Sequence, residues 1–120
     1  MMLEQWKSEI MSSKLLVIIA TGDREKALTG LMYAKNTIKY GWIEDVKVMF
    51  FGPSENLLVN DTDVTNSAAE LAGLGQPIAC KFLSDRDGIS DRIEGMGINV
   101  DYVGTIIADL INEGYTPMVW

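Results

Sequence analysis

KLLVIIATGD, residues Lys14 through Asp23, is the stretch on which the fold turns. Leu15 to Ala20 is an unbroken apolar run of six residues, rich in β-branched side chains, and Thr21-Gly22-Asp23 ends it. A strand with one wet face alternates apolar and polar residues. A continuous run suits a strand covered on both faces, hence a parallel sheet with helices on either side. The Thr21-Gly22-Asp23 step supplies a tight turn and a helix cap. Beyond it, Ala27, Leu31, Ala34 and Ile38 recur at helical spacing, and Gly41 is a good residue to end that helix.

Working outward, the same alternation of strand and helix repeats. Val46 to Phe51 (VKVMFF) reads as a second strand, closed by Gly52-Pro53, with a short helix expected over Ser54 to Val59 and a turn at Asn60-Asp61. Thr62 to Leu74 has helical composition and is expected to end at Gly73 or Gly75. Pro77 to Phe82 (PIACKF) reads as a third strand, with the proline at its start, where a missing donor is tolerated. Ser84 to Gly97 holds two glycine-marked turns around a short helical piece, and Ile98 to Tyr102 is a fourth strand. Val103, Ile106, Ile107, Leu110 and Ile111 follow the pattern of a core-facing helix that stops at Gly114, and Thr116 to Trp120 completes a fifth strand. Right-handed crossovers then give a three-layer α/β/α, doubly wound arrangement of about five mostly parallel strands over residues 14–120. Residues 1–13 form an N-terminal extension, with Leu3, Trp6 and Ile10 at helical spacing, as an amphipathic lead-in would have.

With 120 residues the chain is long enough to bury a core without staples, and one domain is expected. Seventeen acids against ten bases give a formal charge of −7, and the bases are scattered singly, which argues against a nucleic-acid partner. The longest apolar run falls far short of the roughly 20 residues that span a bilayer, so no membrane partner is expected. A lone cysteine cannot close an internal disulfide, and a cytoplasmic location follows as the expectation.

Chemistry in such a sheet gathers at the carboxyl ends of the strands. That rule selects the loops at Thr21 to Arg24, at Gly52 to Glu55, and from Cys80 to Gly88. The first has one glycine and neither the dinucleotide nor the Walker pattern, so Thr21 and Asp23 read foremost as capping residues. Ser54 starts a helix in the second and could line a pocket with Thr21. With no histidine and one cysteine, the usual zinc set and a serine–histidine pair are both ruled out. Asp85-Arg86-Asp87-Gly88 lacks the further oxygen ligands of a calcium loop. No resident metal or cofactor is expected. The distinctive group is the thiol of Cys80, where the next helix's dipole and the cations Lys81 and Arg86 would favour a thiolate. The competing reading is packing alone, since cysteine is among the most commonly buried residue types.

The span from Lys14 to Trp120 resembles the DsrE/DsrF-like family of small sulfur-relay proteins. The likeness rests on the KLLVIIATGD strand and turn, the helix ending at Tyr40-Gly41, and VKVMFFGP. It is strongest in PIACKFLSDRDGISDRIEGMGINVDYVGTIIADLINEGYTPMVW, with its alanine-cysteine pair on a strand and a Val-Gly opening to the last helix. The resemblance implies a Rossmann- or flavodoxin-like sheet, a homo-oligomer that is a trimer or hexamer, and a persulfide carried on the cysteine matching Cys80, exchanged with donor and acceptor proteins. One thiol suffices for a carrier, whereas a dithiol reductase needs a resolving cysteine. The rival expectation is a non-catalytic oligomeric module that binds a small ligand or nucleotide near Thr21 and Ser54.

Overall fold

In a computed structural model that describes residues 13–120, the chain runs β1 (Lys14–Ile19), α1 (Arg24–Tyr40), β2 (Asp45–Phe50), α2 (Ser54–Asn60) and α3 (Thr62–Gly75). It continues through β3 (Ile78–Cys80), α4 (Lys81–Arg86), α5 (Ser90–Glu94), β4 (Asn99–Asp101), α6 (Val103–Asn112) and β5 (Thr116–Val119). The expected amphipathic lead-in before Ser13 lies outside the described residues.

All five strands are parallel and lie in the order β4-β3-β2-β1-β5. From β1 to β4 every crossover steps one place in the same direction, so right-handed connections deliver their helices to one face. The connection from β4 back to β5 passes over three strands in the opposite direction, and its helix, α6, falls on the other face. The alternation in β1 reports both layers. Leu15, Val17 and Ile19 pack with Ala27, Leu31, Val64, Leu71 and Ile93 on the first face. Leu16 and Ile18 pack with Met49, Cys80 and Val103 on the second. The unbroken apolar run thus belongs to a strand buried on both sides, as its sequence requires.

Local chemistry sets the element ends. Asp23 caps α1 by accepting the Lys26 amide at 3.0 Å, and Asp61 does the same for α3 from Val64 at 3.0 Å. Helix α3 runs through Gly75, and the left-handed residue that ends it is Gln76 (φ 48°), with Pro77 next to block any continuation. β3 is shorter than PIACKF suggests, because Lys81 pairs with Asp85 one helical turn later and opens α4 directly after Cys80. The edge strand β5 accommodates Pro117, which has no amide to donate.

Candidate functional site

The connection after β3 carries the chain to α5 on the first face, where Ile89 and Ile93 join the larger core. The connection after β4 carries it to α6 on the second, where Val103 is buried. The carboxyl ends of adjacent strands whose outgoing loops part to opposite faces are where α/β sheets commonly bind ligands. Cys80 and Asp101, the last residues of β3 and β4, are paired in register at that point.

Cys80 is extended (φ −69°, ψ 116°), stands at the N-cap position of α4, and is 5 % exposed. Its side chain belongs to the second face, among Met49, Ile18 and Val103. Its backbone amide donates to Glu55 Oε1 at 2.6 Å. Glu55, the second residue of α2, is wholly buried, and its other oxygen, Oε2, has no hydrogen-bond partner among the described residues. An unpaired oxygen on a buried acid costs free energy, and a native protein that keeps one calls for a reason. Burial pushes the Glu55 carboxyl up to about 7. The Cys80 amide draws it down, the negative charge of Asp87 lifts it, and Arg86 opposes that lift.

Glu55 reaches this position because the loop after β2 is stapled to the end of β1. Gly52 has φ +134°, and a Cβ there would stand 2.8 Å from the Ala20 carbonyl oxygen. Only glycine allows so close a backbone approach. The Ser54 hydroxyl donates to the Ile19 carbonyl at 2.5 Å, and its amide to Ala20 at 3.2 Å. Ser54 is therefore a buried structural anchor rather than a pocket-lining hydroxyl. Thr21 is likewise occupied, its Oγ1 accepting the Asp23 amide at 3.0 Å within the turn.

The two cations expected to support a thiolate are also engaged. Lys81 Nζ meets Asp85 at 3.0 Å and Arg86 Nε meets Asp87 at 3.0 Å. Asp85 in turn accepts from Ser90, whose oxygen is 2.6 Å from Ser84 Oγ, and this ties α4 to α5. The structure thus gathers Cys80, Lys81 and Arg86 on one continuous segment beside Glu55, and leaves Thr21 and Ser54 to hold the neighbouring loops. Glu55 is invisible in the sequence as a site residue, since an acid in the first turn of a helix is ordinary. The usable signal is strand order, which sets the loop after β2 beside the end of β3.

Around this end stand three exposed aromatics, Phe51, Phe82 and Tyr102, which lie just past the ends of β2, β3 and β4. One cavity of about 550 Å³ runs along β4 from Ile98 to Asp101, and one of about 440 Å³ is lined by Ile38, Asp45 and Gln76 at the amino end of the sheet. A smaller one of about 220 Å³ lies under α6 against Met49 and Ile78. Among the described residues no three cysteine, aspartate or glutamate side chains converge as a metal site would require, and no helix is long and apolar enough to cross a membrane.

No protein-family profile matches the chain, and no curated protein is similar to it. Among solved structures it is similar to a conserved protein of unknown function from Bacteroides thetaiotaomicron, with a TM-score of 0.84 and 26 % identity. The alignment covers 93 % of this chain and 100 % of that one, so the whole α/β architecture is common to both.

Proposed function

We propose that the chain is a sulfur carrier of the DsrE/DsrF-like kind, which accepts the outer sulfur of a donor persulfide on Cys80 and passes it to an acceptor protein. The observation that carries this reading is the hydrogen bond from the Cys80 amide to a buried, half-satisfied glutamate at the carboxyl end of β3. Perturbed acids beside a nucleophile at a strand end are a mark of functional sites. Phe51, Phe82 and Tyr102 supply exposed apolar surface just past the ends of β2, β3 and β4, on which donor and acceptor proteins can dock. A reducing cytoplasm, in which the thiol stays free for loading, suits this chemistry.

The rival, a ligand-binding module near Thr21 and Ser54, loses support at Ser54, whose hydroxyl is buried and donates to the Ile19 carbonyl. Self-association fits the second face, where Ile106, Ile107 and Leu110 are only half covered and Ile111 and Val119 are exposed. A trimer or hexamer built on that face is the expected assembly, and a clean monomer by light scattering at about tens of micromolar would remove it.

The direct test is the intact mass of the protein after incubation with inorganic polysulfide. One added sulfur per chain is expected in the wild type and none in Cys80→Ser. A wild-type protein that gains sulfur only after unfolding would make Cys80 a packing residue and end the carrier reading.

A further inference from the structure

The sheet has two outer edges, and they are finished differently. Along a strand, successive residues turn their amide and carbonyl to alternate sides. On β5, Trp120 donates its amide to Ile18 of β1, so Pro117, three residues earlier, faces outward, where its missing amide blunts the edge. On β4, Asn99 donates its amide to Pro77 at 3.1 Å, so the following residue, Val100, turns its amide and carbonyl away from β3. Among the described residues no further strand lies there. The next outward amide, that of Tyr102, is taken by Asp101 Oδ1 at 2.7 Å, which holds this carboxylate beside the edge.

The cavity of about 550 Å³ lies against this edge. It borders both faces of the sheet, since Val100 packs with the first-face cluster and Ile78 with the second. The charged side chains in its lining are two exposed acids, Glu94 and Asp101, and Asn99 between them is exposed as well. The cations of α4 and α5 are engaged elsewhere. Lys81 is paired with Asp85 and Arg86 with Asp87, while Arg92 donates to the Val59 carbonyl at 2.8 Å.

We propose that the β4 edge is a docking strip for an extended, cationic segment of another protein, which adds to the sheet as a further strand through the main chain of Val100. Such a strand sets basic side chains on the second face beside Asn99 and Asp101, and an apolar one on the first face beside Val100. The segment that fits therefore alternates lysine or arginine with apolar residues. A second copy of this chain fits poorly, because pairing β4 with β4 sets acids against acids between two chains that each carry a charge of −7. Asp101 is in register with Cys80, so a strand seated here runs past the carboxyl end of β3. The inference goes beyond the carrier reading, since the segment docks whether or not the thiol accepts sulfur.

The probe is a fluorescein-labelled Lys-Val-Lys-Val-Lys peptide, titrated with the whole chain and followed by anisotropy. Binding is expected, and in the complex the Val100 amide should exchange with deuterium on the order of tenfold more slowly. The Asn99 amide, already bonded to Pro77, should hardly change. A Glu-Val-Glu-Val-Glu peptide should not bind, and a lysine peptide N-methylated throughout should bind at least about tenfold more weakly. Glu94→Gln combined with Asp101→Asn, which keeps an oxygen for the Tyr102 amide, should weaken binding about tenfold. Val100→Pro removes the outward amide and should do the same. Equal affinity for the lysine and glutamate peptides, or for the N-methylated one, would overturn the proposal. So would an unchanged Val100 amide in the complex, or no binding at about 1 mM protein. Val100 protection that grows with protein concentration without peptide would give the edge to a second copy and also overturn it. None of these outcomes touches sulfur loading of Cys80, so the carrier reading stands or falls separately.

Discussion

The two faces of the sheet are built to different depths. On the first, α1, α2, α3 and α5 cover the strands, and seventeen residues from Leu15 to Ile98 form one buried cluster. On the second, α6 is the main cover among the described residues, and of these the buried cluster holds Leu16, Ile18, Met49, Cys80, Val103 and Tyr115. Apolar burial contributes in proportion to area, so the first face supplies most of the stability and the second is free to be used. The thiol lies on the thin side, and the glutamate that holds the Cys80 amide comes from an element packed on the thick side. The site straddles the seam.

The largest effect should separate the faces outright. Phe50→Ala, in the centre of the thick face, should lose about 3–5 kcal/mol, whereas Ile106→Ala, half covered on the thin face, should lose about 1 kcal/mol or less. Urea midpoints measure both, and similar losses would dissolve the contrast. Gly52→Ala should come next, at about 2–3 kcal/mol, since it combines φ +134° with a clash against the Ala20 carbonyl.

Third, the seam should be sensitive to pH. Glu55 titrates at its ordinary 4.5 when unfolded and at about 7 when folded. The native state therefore binds more protons between those values, and stability falls as pH rises through that window. It is fully present below 4.5 and lost above about 7. The loss from this group should be about 2 kcal/mol once solvent screening is allowed for. Glu55→Gln should flatten this component of the profile, and an unchanged slope would detach Glu55 from it. Cys80→Ala should also have a small effect, about 1 kcal/mol, because one sulfur's worth of packing on the thin face is removed. A loss near that of Phe50→Ala would make Cys80 a keystone of the core instead.

The fold was legible because its signals are local. KLLVII needs no partner to announce a doubly buried strand, and Val103 to Leu110 shows its apolar stripe directly. The span PIACKF overran β3 by three residues, Pro77 before it and Lys81-Phe82 after it, where α4 begins with Lys81 paired to Asp85 one turn on. Cys80 could be placed at a strand end from sequence, but Glu55 could not be joined to it. The two are 25 positions apart, and their contact depends on β2 lying beside β3, which periodicity does not encode. The roles of Thr21 and Ser54 were equally out of view, because a hydroxyl's choice between ligand and backbone depends on which carbonyls or amides stand within reach.

Strand β1, buried on both faces, acquires its two neighbours at very different points along the chain. Leu15 pairs with Val46 on one side and with Thr116 on the other. The Trp120 carbonyl accepts the amides of Ala20 and Thr21 at 2.8 and 3.1 Å, which fastens the last residue to the first loop. During synthesis, then, one flank of β1 stays open until everything between has been made, and the β5 pairing closes a loop of about a hundred residues. Refolding should show β5 amides protected from exchange after those of β1 and β2, and β5 should be the first strand to open in the native state. A nascent chain that stalls before Thr116 exposes the edge of its most apolar strand, and any chaperone that attends this protein has its reason there.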